Sequence, residues 1–154
     1  LEYLEQTQQG GKLLPSDPFE RAQVLALTKE IELYIELPAR ACYGEAFFGM
    51  QVPEAIRDKA RVELLEGIAA LGRHGKFAPY VAGDTLSLAD IYFVFSVDLA
   101  CAVGHKVFGL DLLAEHPAAR ALLERLQRNP HVQRIVADKE AAMPQFLAWI
   151  SSKK

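Results

Sequence analysis

With 154 residues, 51% of them apolar, the chain is long enough to bury one core and too apolar to be disordered. Its 17 basic and 20 acidic residues leave a net charge of −3, which excludes the basic footprint of a nucleic-acid binder. Cys42 and Cys101 match no metal or disulfide spacing, so no metal is expected and a reducing cytoplasm is the simplest compartment. No charged n-region precedes a signal-like segment. The apolar run 91–103, interrupted by Ser96 and Asp98, is expected to be too short for a bilayer.

Leu1 to Gln9 reads as the tail of a helix stopped by Gly10-Gly11. No cap stands ahead of it, so something is expected to precede Leu1. After a connector with two prolines, Asp17 is placed to cap a helix whose first residue is Pro18. From Phe19, apolar positions Ala22, Leu25 or Ala26, Ile31, Tyr34, Ile35, Pro38 and Cys42 recur at helical spacing. Pro38 should kink this helix without necessarily ending it, and Gly49 should break it after Phe47 or Phe48. On that periodicity Tyr34, Pro38, Ala41, Cys42 and Glu45 share one broad face.

Pro53 opens a second long helix with an apolar stripe at Ile56, Ala60, Leu64, Ile68 and Leu71, joined by Leu65. Arg57, Lys59, Arg61 and Glu63 lie largely off it. The two helices read as an antiparallel pair. A third helix is predicted from Ser87 to Ala102 or Val103. Ser87 is its N-cap, with the hydroxyl accepting from the Asp90 N–H and the Asp90 carboxylate reaching back to the Ser87 N–H. Leu86 and Ile91 are spaced for a hydrophobic staple. This helix is apolar nearly all round, so it is expected to be enclosed by others, with Asp98 finding a structural partner. A shorter helix should follow His116-Pro117, another hold Val132, Ile135 and Val136, and a last one run from Pro144 to Ile150. No strand is expected. The class is all-α, a bundle of about five to seven helices around the one starting at Ser87. His74, His105, His116 and His131 show no ligand spacing.

The string Tyr80-Val81-Ala82-Gly83-Asp84-Thr85-Leu86-Ser87-Leu88-Ala89-Asp90-Ile91 resembles the signature of the C-terminal helical domain of bacterial-type cytosolic glutathione transferases. Leu1-Glu2-Tyr3-Leu4 is similar to the last helix of that family's thioredoxin-like domain. Leu14-Pro15 with Arg21-Ala22, and Arg128-Asn129-Pro130-His131-Val132, also follow the family pattern in order. The resemblance implies that residues 1–11 are the tail of a thioredoxin-like domain and 12–154 the helical domain. It implies no catalytic residue in this chain, since the family's Ser, Cys or Tyr lies in the upstream domain, with most of the glutathione site.

What the resemblance leaves to this chain is a wall for a hydrophobic electrophile and part of a homodimer surface. The reaction implied is glutathione conjugation in cytoplasmic detoxification, with glutathione as co-substrate. Tyr34, Pro38, Ala41 and Cys42 would form the electrophile wall, although packing alone also accounts for Tyr34 and Cys42. Glu36 would meet the glutathione amine, or else be a solvated helix charge. The alternative function is a non-catalytic helical interaction module.

Overall fold

Asp17 Oδ1 accepts from the N–H groups of Phe19 and Glu20 at 3.0 and 2.9 Å, and Pro18 occupies the first helical position, where its missing N–H costs nothing. A long helix therefore starts at Pro18. The computed structural model describes residues 2–7 and 12–152. Among them it has seven helices and no strand. We label them α1 (Glu2–Gln6), α2 (18–41), α3 (Tyr43–Phe48), α4 (Glu54–His74), α5 (Leu88–Phe108), α6 (Pro117–Gln127) and α7 (Pro130–Ser151). The expected Gly10-Gly11 stop lies outside the described residues. The chain divides into two compact units, one running to Leu123 and the other starting at Glu124.

In the first unit, α2 packs against both α4 and the start of α5. Ile31 and Ile35 of α2, Leu64 and Leu71 of α4, and Phe93, Val97 and Val103 of α5 have almost no exposed surface. Ile56 and Leu65 do not join this core; they are 44% and 43% exposed. Of the stripe predicted on α4, Ala60, Leu64, Ile68 and Leu71 are buried, joined by Gly67.

The start of α5 is held by one buried carboxylate. Asp90 has no exposed surface, and its Oδ2 accepts from the Ser87 N–H at 2.8 Å and the Ser87 hydroxyl at 2.9 Å. Its Oδ1 accepts from the Val81 N–H at 2.9 Å, tying the preceding loop to the helix. The Leu88 N–H donates to the Leu13 carbonyl at 2.9 Å, so the connector before α2 is fastened to the same point.

The end of α5 differs from expectation. Gly104 does not stop α5. A β-carbon there would stand 2.7 Å from Leu112 Cγ, so this glycine makes room for a neighbour, and the helix ends at Gly109 with φ 65°. The helix thus runs for 21 residues and contains an 18-residue stretch with a mean hydropathy of 1.5, long and apolar enough by length and composition to cross a membrane. The expectation that the apolar run is too short rests on Ser96 and Asp98 as interruptions. Ser96 is buried with a hydrogen-bond partner and does not break the helix.

In the second unit, the two short helices expected at the C-terminus are one, α7, capped by the Asn129 side chain at the His131 N–H, 2.9 Å. Pro144 lies inside it; a proline removes one i→i−4 bond and the remaining bonds carry the helix through. Phe146 and Trp149 stack on its exposed surface with ring centroids 6.2 Å apart.

Pro38 lies inside α2, where an α-helical proline ring would collide with the Tyr34 carbonyl four residues back. The helix widens into a π-turn over Glu32–Glu36, with the Leu37 N–H donating to the Glu32 carbonyl, and resumes as Leu37–Ala41. The Tyr34 carbonyl meets Gly67 of α4 instead. A β-carbon on Gly67 would lie 2.1 Å from that oxygen, so only glycine permits this approach.

Removing Asp90 leaves the Val81 and Ser87 N–H groups buried and unpaired, so Asp90→Ala is expected to lower unfolding stability by about 3 kcal/mol or more. Ser87→Ala, which keeps the carboxylate, should cost about 0.5–2 kcal/mol. Equal urea midpoints for the two variants would contradict this ranking. Gly67→Ala would add about 0.5–1 kcal/mol of helix propensity at an unobstructed position. The collision with the Tyr34 carbonyl should reverse the sign to a net loss of about 1–3 kcal/mol. A raised urea midpoint would remove the close contact.

Candidate functional site

The widened turn of α2 has a consequence for the surface between α2 and α4. An open groove of about 530 Å³ runs there, lined on the α2 side by Leu33, Tyr34, Leu37, Pro38 and Ala41 and on the α4 side by Ala55, Ile56, Lys59, Ala60 and Glu63. Its surface is chiefly apolar, with charge only from Lys59 and Glu63, themselves paired at 3.7 Å. Three of the four residues expected in a substrate wall, Tyr34, Pro38 and Ala41, are brought together in this groove. Tyr34 is 58% exposed, so its phenol faces open space. Pro38 is buried at the groove floor.

Cys42 is elsewhere. It has no exposed surface, and α2 gives way to α3 across it. Burial pushes its thiol pKa up, the Glu45 charge adds to this, and Arg57 opposes it. Glu45 is absent from the groove lining too. Its Oε2 accepts from the Val52 N–H and its Oε1 from Arg57, both at 3.2 Å, which braces the connection between α3 and α4. Cys101 is likewise pushed up, to about 11, by burial and then by Asp98 and Asp111. Neither thiol is a thiolate at neutral pH, so neither is an activated nucleophile. Among the described residues no group of three or more His, Cys, Asp or Glu is placed to hold a metal ion.

Glu36 lies on the other side of α2, facing α5. The π-turn over Glu32–Glu36 packs against a second π-turn over Phe93–Val97, and the Ser96 hydroxyl donates to Glu36 Oε2 at 2.8 Å between them. Arg40 stands 3.5 Å from Oε1. The Glu36 side chain keeps 27% of its surface exposed.

Two features of this region do not emerge from the sequence alone. Tyr43 carries a buried phenol oxygen with no hydrogen-bond partner among the described residues. Burial, then the Glu36 charge, pushes its pKa to about 12, so it is a protonated donor at neutral pH. Its ring stands edge-on to Phe47 with centroids 5.3 Å apart. The other is the Leu33, Leu37, Ala41 spacing of four, which marks the groove face and is visible in the chain once the helix is known to continue through Pro38. The spacing of Ile56 fits the α4 stripe and so suggests the core. Only the end of α2 opposite it reveals that it borders an open groove.

Known proteins share this sequence and architecture. The family model for the glutathione S-transferase C-terminal domain matches residues 54–125. A glutathione S-transferase of Pseudomonas putida strain F1 is 62% identical over all 154 residues, which span 70% of its length. The crystal structure of a glutathione S-transferase from Pseudomonas fluorescens Pf-5 superposes with a TM-score of 0.64 at 26% identity, over 84% of this chain and 62% of that one. A glutathione S-transferase from Methylobacterium radiotolerans, solved in complex with glutathione sulfonate, shares the fold with a TM-score of 0.66 at 19% identity, over 86% of this chain and 61% of that one. The chain therefore spans less than two thirds of the length of these solved structures. On the extent of its identity to the Pseudomonas putida protein, this chain belongs to the glutathione S-transferase family.

Proposed function

We propose that this chain is the helical domain of a glutathione transferase, supplying the apolar wall against which a hydrophobic electrophile lies during glutathione conjugation. The groove bounded by Tyr34, Pro38 and Ala41 of α2 and Ile56 of α4 carries this reading. Its apolar surface and open mouth suit an uncharged organic substrate, and burial there displaces water from the reacting pair. Cys42 has no exposed surface and adds nothing to the lining of this wall. The nucleophile in this scheme is the glutathione thiolate, and lowering its pKa falls to a thioredoxin-like domain upstream of this chain.

Glu36 in this reading offers its exposed carboxylate edge to the glutathione ammonium, with Ser96 fixing the other oxygen. The exposed apolar side chains of Leu33 and Leu37, which line the groove, support a homodimer contact on the same face. The two free cysteines agree with a cytoplasmic setting, where conjugation would serve detoxification.

Ala41→Phe in the intact transferase should raise KM for bulky electrophiles by roughly 10-fold or more while KM for glutathione stays constant. Two-substrate kinetics beside thermal melting check it. A uniform loss with every substrate, accompanied by a lowered Tm, would assign Ala41 to packing and take the groove out of the active site. Glu36→Gln should raise KM for glutathione by roughly 10-fold and leave electrophile selectivity alone. An unchanged glutathione KM would reduce Glu36 to the structural partner of Ser96.

A further inference from the structure

Within the second unit, α7 leaves large apolar side chains open along its length: Ile135, Phe146, Leu147 and Trp149 are between 42% and 57% exposed. A helix ordinarily buries such a face, and a contiguous apolar patch left at the surface marks an interaction site. Val132, Val136, Lys139, Met143, Phe146 and Ile150 follow one another at intervals of four, three, four, three and four, the repeat by which two helices pack along a common seam. Val132 is already buried, so the open part of the seam starts at Val136. Ile135, Ala142 and Trp149, each seven residues from the next, flank the seam on one side, and Glu140 and Leu147 on the other. Pro144 lies off the seam and does not obstruct it.

This face is complementary to itself when a second copy runs antiparallel. In that register Val136 meets the partner's Phe146 and Phe146 meets the partner's Val136, so each of these layers sets a large side chain against a small one. On the flank Ile135 meets the partner's Trp149, and Ala142 meets the partner's Ala142, so the two most exposed apolar side chains cover each other. Lys139 decides the direction. In a parallel pair it would stand in the seam against its own copy, charge to charge. Antiparallel, its stem lies on the partner's Met143 and its ammonium reaches the edge where Glu140 and the partner's Glu140 come together. Two lysines and two glutamates then alternate around the two-fold axis. Neither Lys139 nor Glu140 is in an ion pair among the described residues, so both are available for this contact.

We propose that α7 is a self-association surface, pairing antiparallel with α7 of a second copy of this chain through the face from Ile135 to Ile150. The open seam spans about 21 Å of helix, which makes a small contact beside a standard protein interface. The pairing is therefore weak and concentration-dependent. It is separate from the α2–α4 groove and from the homodimer contact proposed there, and it does not depend on the transferase reading.

Sedimentation equilibrium of the full chain tests the proposal, with association expected to rise between about 1 μM and about 1 mM chain. Phe146→Glu should weaken it by roughly 10-fold or more. Lys139→Glu and Glu140→Lys, each of which gathers four like charges at the axis, should weaken it too, and the double variant, which restores the alternation, should recover it. Both residues are exposed, so the swap spares the fold, and circular dichroism verifies the helix content of each variant. In a Cys101→Ser background a short bismaleimide should join Ile135→Cys chains to Trp149→Cys chains and leave each variant by itself unlinked. A chain that stays monomeric throughout this range would overturn the proposal and leave the face to another occupant, such as an upstream domain. Association that survives Phe146→Glu and is lost in Leu37→Glu would place the contact on α2 and overturn it as well. Linking of Ile135→Cys chains to one another would show a parallel pair and reject the register.

Discussion

The carboxylate of Asp90 is the point on which the larger unit depends. It is fully buried and accepts from three donors, the Ser87 N–H and hydroxyl and the Val81 N–H. A charge so placed is tolerated only because both oxygens are satisfied. In return it joins the loop ending at Ser87 to the first turn of α5 in one geometry. Because Leu88 also bonds the Leu13 carbonyl, the connector before α2 is set by the same junction. The position of α2 against α5, and with it the groove that α2 shares with α4, descends from this anchor.

Between α2 and its two neighbours, backbone irregularity does the positioning. Pro38 forces a π-turn, and the carbonyl it cannot bond is received by Gly67. That close approach brings α2 and α4 together beneath the groove. On the opposite side the same π-turn meets a second one in α5, where Glu36 and Ser96 are joined. One proline thus shapes both surfaces of the proposed transferase role: the apolar wall at Tyr34 and Ala41, and the acidic edge at Glu36. Burial holds the protons on Cys42 and Cys101.

Legibility of the site in the chain follows the same boundary. Helical spacing groups Tyr34, Pro38 and Ala41, and they do share a groove. The same spacing adds Cys42 to them, but the π-turn changes the rotation of the helix before it, and the helix yields at Cys42 itself, so the thiol turns inward. Tyr43 gives no signal, because an aromatic at the end of a helix is ordinarily packing; its unpaired phenol is visible only when its surroundings are known. The contact of Glu30 with His74 joins residues 44 positions apart and has no local motif at all.

By itself the sequence determined the all-helical class, the cap at Asp17, the Ser87–Asp90 pairing and the apolar faces that form the core. Each of these rests on interactions within one turn of helix or on a repeating period, which the order of residues states directly. Only the tertiary structure decided what each glycine and proline does. Gly104 and Gly67 admit neighbouring groups where the chain suggests breaks or nothing, and Pro144 sits inside a continuous helix. The outcome at such residues depends on which side chain or carbonyl arrives from another helix. The same holds for Ile56, whose spacing suits the core and whose exposure follows from where α2 ends. Contacts between distant segments set these outcomes, and no local pattern carries that information.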